Sequence, residues 1–140
     1  MRNGLPLLKQ FEGCKLIAYQ DIVGIWTIGY GETKGVYKGM TITQSQADSM
    51  VQNRYDEFET SIKKLLRISV TDNELGALTC FAYNIGLSAF TGSTLLKLLN
   101  NNTDRKIVAA EFIKWNKAGG KVVDGLTRRR IAEANLFLTK

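Results

Sequence analysis

Apolar residues recur three positions apart at Leu5, Leu8 and Phe11, with Pro6 near the start and Gly13 just past the end. That pattern predicts a short helix ending about Glu12. Residues 16 to 20 (LIAYQ) and 25 to 30 (IWTIGY) are rich in β-branched and aromatic side chains and flank Asp21-Ile22-Val23-Gly24, which predicts an antiparallel hairpin. Period-two alternation sets Ile25, Thr27 and Gly29 on one face and Trp26, Ile28 and Tyr30 on the other. A third strand is expected between Gly29 and Gly39. From Thr41 onward the period becomes helical. Thr43-Gln44-Ser45-Gln46 has the form of a capping box, and Ala47, Met50, Val51, Tyr55, Phe58, Ile62, Leu65 and Leu66 follow at helical spacing. This predicts one long helix, suited to joining two lobes. A second capping box, Thr71-Asp72-Asn73-Glu74, has Val70 and Leu75 at the positions of a hydrophobic staple. Shorter helices are expected over 94–100, 104–116 and 127–138, broken by Asn100-Asn101-Asn102 and by Gly119-Gly120. The sum is one α+β domain over 1–140: a small N-terminal lobe at about 13–43 with a three-stranded antiparallel sheet, then a connecting helix and a larger helical lobe over about 44–140.

Composition narrows this little but usefully. A chain of 140 residues that is 44% hydrophobic and 23% charged suits one domain with a real core. A formal charge of +6 favours anionic surroundings such as nucleic acid, phospholipid or envelope polymers. Against nucleic acid, the basic residues are scattered and no binding motif is recognisable. Histidine is absent, which removes imidazole-based catalytic triads and the usual mixed zinc sites. No metal and no cofactor is expected. Cys14 and Cys80 fit neither a redox motif nor a metal cluster, so two buried free thiols are the default, with a disulfide left open. No apolar run is long enough to span a membrane, and residues 1–10 lack the apolar core of a secretory signal.

The chemistry concentrates in the glycine-rich lobe, where Glu12, Asp21 and Thr27 follow an E-x8-D-x5-T spacing. Hydrolysis of a glycosidic bond needs a protonated acid beside the leaving oxygen and an ionised carboxylate across the sugar. Glu12 sits at a helix C-terminus among apolar neighbours, and both surroundings disfavour its anion. Asp21, in an open turn near backbone N–H groups, suits the ionised role. Thr27 on the return strand is placed to help hold a water that attacks while Glu12 protonates the departing sugar. Singly, each residue has an ordinary use, since turn Asp commonly caps its own backbone and strand Thr reflects β-propensity. The joint spacing is the informative feature.

Several segments carry a resemblance: FEGCKLIAYQDIVGIWTIGYGET at 11–33, KGMTITQSQAD at 38–48, FAYNIGLSAFTGSTLL at 81–96 and FIKWNKAGGKVVDGLTRRR at 112–130. On these the chain resembles the phage-type lysozymes, the endolysins and muramidases. The resemblance implies a two-lobed lysozyme-like fold and hydrolysis, with inversion, of the β-1,4 bond between N-acetylmuramic acid and N-acetylglucosamine. Glu12, Asp21 and Thr27 match the family's acid, base and hydroxyl. Tyr83, Asn84 and Ser93 match positions that touch saccharide, although Tyr83 also suits the core, Asn84 a helix end before Gly86 and Ser93 an N-cap. Arg129 matches an arginine that approaches the acid and would favour its anion, against the effect of the helix end. Arg128 and Arg130 are expected on a solvated face or against an anionic envelope. Glu32 departs from the family's GYGHT pattern: any salt bridge made there by histidine must be absent or rebuilt with Lys or Arg.

The resemblance further implies a monomer made in a host bacterial cytoplasm and acting on periplasmic peptidoglycan, with a separate holin as the route across the membrane and no stable membrane insertion of its own. Two rivals fit the same sequence. A lytic transglycosylase would need the glutamate but neither Asp21 nor Thr27, and a catalytically silent basic module would bind wall polymer without cleaving it.

Overall fold

A computed structural model describes residues 2–140. Helix α1 (Leu5–Glu12) has Pro6 in its first turn and stops where Gly13 turns to φ +67° and returns its N–H to Lys9 O. Glu12 is therefore the last helical residue. Strands β1 (Lys15–Gln20) and β2 (Trp26–Gly29) pair antiparallel, with Tyr19 opposite Thr27 and Gln20 opposite Trp26. The expected third strand does not form. Residues 33–40 coil through successive turns, Val36 N–H to Thr33 O at 3.4 Å and Met40 N–H to Tyr37 O at 3.1 Å, with Gly35 and Gly39 at positive φ. The chain then runs beside β1 only briefly, through Ala18 N–H to Met40 O and Ile42 N–H to Leu16 O, both 2.9 Å. So brief a pairing leaves a two-stranded ribbon with an isolated Ile17–Thr41 bridge.

Helix α2 (Gln44–Leu65) begins at a complete capping box: Thr43 accepts from Gln46 N–H while the Gln46 side chain accepts from Thr43 N–H. Its 22 residues reach roughly 33 Å. One stripe, Ala47, Val51 and Tyr55, packs with Leu5, Leu8, Tyr30, Cys80 and Tyr83 beside the sheet, whereas Ile62 enters the larger core. A single helix thus reaches both apolar clusters, as the long period predicts.

Helix α3 (Asp72–Ile85) is capped in the same reciprocal way by Thr71 and Glu74, and every residue from Glu74 to Tyr83 is buried. Small residues permit this. A Cβ placed on Gly76 would lie 2.6 Å from Gly4 N, so α3 and the start of α1 touch backbone to backbone. Gly4 N–H donates to the Tyr55 hydroxyl at 3.0 Å, which ties α2 into the same junction.

Around α3 lie α4 (Leu87–Thr91), α5 (Thr94–Asn100), α6 (Arg105–Ile113) and α7 (Asp124–Leu138). Phe81 is the centre of their core, 4.9 Å from the Phe112 ring and 5.9 Å from Trp115 between ring centroids. Helix α6 stops three residues short of the expected 116, because the chain enters a small hairpin, β3 (Lys117–Ala118) and β4 (Lys121–Val122). Gly119 and Gly120, both at positive φ, supply its two-residue turn. Helix α7 starts earlier than 127, at Asp124. The five-residue α4 is too short to announce itself by periodicity.

Both cysteines are free; Cys80 is buried and Cys14 half-buried. Burial, joined by the negative field of Glu133, pushes the Cys80 thiol well above its ordinary pKa. A thiol reagent should therefore label Cys14 in the folded chain and Cys80 only on unfolding; native labelling of both at equal rates contradicts this packing. In an open helix Gly→Ala stabilises by about 1 kcal/mol. Gly76→Ala is expected instead to destabilise by about 1–3 kcal/mol, because its methyl must displace the Gly4 backbone. Urea denaturation checks the sign, and a gain in stability rejects the close contact.

Candidate active site

Glu12 leaves the end of α1 with its side chain 18% exposed, and its Oε2 accepts from Arg129 Nη1 at 2.6 Å. Arg129 is held in turn. Its Nε donates to Glu133 Oε2 at 3.1 Å, one turn along α7, and its Nη2 donates to Cys80 O at 3.0 Å. Glu133 is fully buried and also accepts from Arg130 Nη1 at 2.5 Å. Arg130 spends its remaining donors on Trp115 O at 2.9 Å and on Asn84 Oδ1, with its guanidinium over the Phe81 ring. Two carboxylates and two guanidiniums therefore alternate from the end of α1 to the end of α3.

Arg130 corrects an expectation: it lies on no solvated face but is fully buried, while Arg128 is the exposed member of the run. The cause is helical geometry, since Glu133 at i+3 from Arg130 and i+4 from Arg129 faces both. Burial opposes the charge on Arg129, yet the Cys80, Glu12 and Glu133 groups around it prevail and raise its pKa above the usual arginine range. For Arg130 burial prevails over Glu133 and lowers the value. In the sequence, the i+3 and i+4 spacing of an acid after paired arginines is the one signal that could have singled out Glu133.

Asp21 opens the hairpin turn. Its Oδ1 accepts from Val23 N–H at 3.0 Å and Ile25 N–H at 2.9 Å. Ile25 O accepts both Asp21 N–H and the Thr27 hydroxyl, each at 2.9 Å. The Ile25 peptide thus locks the acid and the hydroxyl into one unit. Among the described residues no donor reaches Asp21 Oδ2, which stays free for solvent. Thr27 is 5% exposed; having given its proton to Ile25 O, its oxygen can only accept a further hydrogen bond.

Glu12 lines a pocket of about 430 Å³ together with Phe11, Asn84, Leu126, Arg128 and Arg129. Asp21 and Thr27 are outside its lining, on the hairpin. Asn84 also lines the pocket, and its Oδ1 accepts from Arg130 Nη2, which leaves its amide N–H groups without a partner among the described residues. Tyr83 is buried; its hydroxyl donates to Tyr30 O at 2.8 Å and lies 3.4 Å from Glu32 Oε1. Burial, and then the Glu32 charge, push the Tyr83 phenol up. Ser93 is placed elsewhere, at an opening shared with Arg67, Lys97 and Asn100. Its hydroxyl caps α5, accepting from Leu96 N–H at 3.2 Å and donating to Phe90 O at 2.6 Å. Glu32, at the position of the family pattern's histidine, pairs instead with a cation, Arg54 Nη1 at 3.3 Å. Among the described residues no group of three or more Cys, Asp or Glu is arranged to hold a metal ion.

An acid clamped at a helix end beside a pocket, a hairpin that locks an acid and a hydroxyl together, and a long helix that reaches two apolar clusters make up a lysozyme-like architecture. A profile of the phage lysozyme family matches residues 9–133. The endolysin of Bacillus phage B103 is 42% identical over 139 residues, covering 97% of this chain and 52% of that protein. The endolysin of Salmonella phage P22 is 40% identical over 142 residues, covering 98% and 96%. Among solved structures, the muramidase domain of SpmX from Asticaccaulis excentricus superposes with a TM-score of 0.92 at 33% identity over 100% of this chain and 97% of that one. The chain belongs to the phage lysozyme family. It spans about half the length of the Bacillus phage endolysins, and nearly all of the P22 enzyme.

Because Glu133 neutralises two buried guanidiniums, Glu133→Gln is expected to cost about 3–5 kcal/mol of stability. Breaking the surface pair Lys63–Glu59 by Lys63→Ala should cost less than about 1 kcal/mol. Urea unfolding of the two variants side by side checks this, and equal losses refute the buried-charge account.

Proposed function

We propose that the chain is a peptidoglycan hydrolase, a muramidase that cleaves the β-1,4 bond between N-acetylmuramic acid and N-acetylglucosamine. The observation that carries this is the division of labour between the two carboxyls. Arg129 occupies Glu12 Oε2, so Oε1 is the oxygen left to carry a proton to the glycosidic oxygen. Asp21 has one oxygen saturated by backbone donors and the other open, the state of a carboxylate that can take a proton from an attacking water. Thr27, able only to accept, orients that water's second hydrogen. A water activated by Asp21 that attacks from the face opposite the protonating acid would give inversion at the anomeric carbon, the outcome that the family resemblance implies.

Asn84, which lines the acid's pocket and keeps its amide donors available, suits an acetamido carbonyl of the glycan. Tyr83 and Ser93 serve the substrate indirectly, through the turn that Tyr83 supports and the helix that Ser93 caps. The biological role that fits this reading is lysis of a bacterial host from within, by a monomer made in the cytoplasm that meets periplasmic peptidoglycan through a separate holin. Among the described residues no helix is long and apolar enough to cross a membrane. A charge of +6 favours approach to the anionic wall.

The locked Asp21–Ile25–Thr27 unit favours hydrolysis over the transglycosylase, which needs no water-holding partner. Mass spectrometry of purified peptidoglycan digested by the chain tests substrate, bond and reaction together. Reducing muramic ends are expected, 1,6-anhydro ends would establish the transglycosylase, and intact glycan would leave only the silent binding module. Glu12→Gln and Asp21→Asn should each lower turnover by at least about 100-fold while the fold is kept; near-native turnover in Glu12→Gln rejects it as the acid.

A further inference from the structure

The oxygen assigned to proton donation, Glu12 Oε1, faces Gly31. A Cβ on Gly31 would lie 3.2 Å from it, so the acid packs against bare backbone at a residue with φ +93°. Gly31 belongs to a tight turn closed on itself by Ile28 N–H to Glu32 O at 2.9 Å and Glu32 N–H to Ile28 O at 2.8 Å. Two outside contacts seize this turn at the residues immediately before and after Gly31. The Tyr83 hydroxyl holds Tyr30 O, and Arg54 holds the Glu32 carboxylate. The same guanidinium lies 5.0 Å from the centroid of the Tyr83 ring, so Arg54, Tyr83 and Glu32 form one cluster joining α2, α3 and the turn.

We infer that Arg54 and Glu32 are positioning residues for the reaction, setting through the Gly31 turn where the donor oxygen of Glu12 sits; this rests on the muramidase reading. Neither side chain lines the pocket that holds Glu12. Their pairing acts along the backbone: it resists movement of Gly31 toward or away from Oε1, and an acid displaced by a few tenths of an ångström meets the glycosidic oxygen at the wrong distance. The pair is only partly buried, with Arg54 32% and Glu32 13% exposed, so its loss is compatible with folding. An ion pair kept for stability alone, at this exposure, would contribute little.

The test is steady-state kinetics on soluble, uncross-linked glycan chains, with folding at the assay temperature verified by circular dichroism. In Arg54→Ala and Glu32→Gln, kcat is expected to fall about tenfold with KM nearly unchanged, short of the roughly hundredfold that a 1 Å misplacement costs. Arg54→Lys, which keeps the charge, should recover most of the lost kcat. Folded variants with native kcat overturn the inference, as does a loss confined to KM, which would mean that the pair grips the glycan itself. If Arg54→Ala fails to fold, Glu32→Gln, nearly isosteric and still able to accept from Tyr83, decides alone. A wild-type chain that releases no reducing ends defeats the muramidase reading and this inference with it, whereas an active wild type with unaltered variants defeats the inference only.

Discussion

The buried alternation Glu12–Arg129–Glu133–Arg130 is the constraint on which the rest of the molecule depends. Charges out of water are costly unless paired and hydrogen-bonded, and a half-complete set is worse than none. Arg129, Glu133 and Arg130 are each bonded on more than one side, Glu12 is bonded through Oε2 alone, and the remaining guanidinium donors go to neutral acceptors at Cys80 O, Trp115 O and Asn84. Such an arrangement forces α1, α3 and α7 into one relative placement, because an error at any helix would strand a charge. Glu12 is consequently fixed by the same contacts that fix the helical lobe. Under the proposed reading, stability and chemistry are not separable there.

The hairpin is governed differently. It has almost no core of its own: Ile17, Ile22, Val23 and Ile25 are well exposed, and only Thr27, Ile28 and the residues that follow are buried. Local hydrogen bonds therefore have to hold its geometry. The Ile25 peptide does so with both of its polar groups, donating to Asp21 Oδ1 and accepting from Asp21 N–H and Thr27. The ordinary use of a turn aspartate, capping its own backbone, and the use proposed for Asp21 are thus compatible, one oxygen serving each. Glu12 and Asp21 are held by unlike means, buried ion pairs on the helical side and backbone hydrogen bonds in the hairpin.

What the sequence made legible was whatever depends on local periodicity or spacing. Both capping boxes, the long helix, the stop at Gly13 and the E-x8-D-x5-T unit are such features, and each has its element where the pattern placed it. The failures share the opposite property. Glycine-rich residues 29–39 look like a strand by composition, but turn geometry at Gly35 and Gly39 decides against one. Arg130 looks solvated because arginine usually is, and only the meeting of α7 with α3 and Trp115 buries it. Ser93 illustrates a middle case: two uses were open, and the structure supplies its N-cap bond while placing it away from Glu12. Long-range pairings such as Arg54 with Glu32, 22 positions apart, leave no periodic trace.

The absence of histidine gives these pairings a shared character. A histidine in the site would gain and lose charge near neutral pH, and contacts built on it would come and go. Among the described residues every ion pair joins a carboxylate to lysine or arginine, and arginine is a side chain that proteins keep protonated. Glu32 with Arg54 therefore provides a bridge whose cation is permanent and whose sign is the reverse of a histidine–acid bridge at the same turn. The turn beside Glu12 is held through a guanidinium rather than an imidazole.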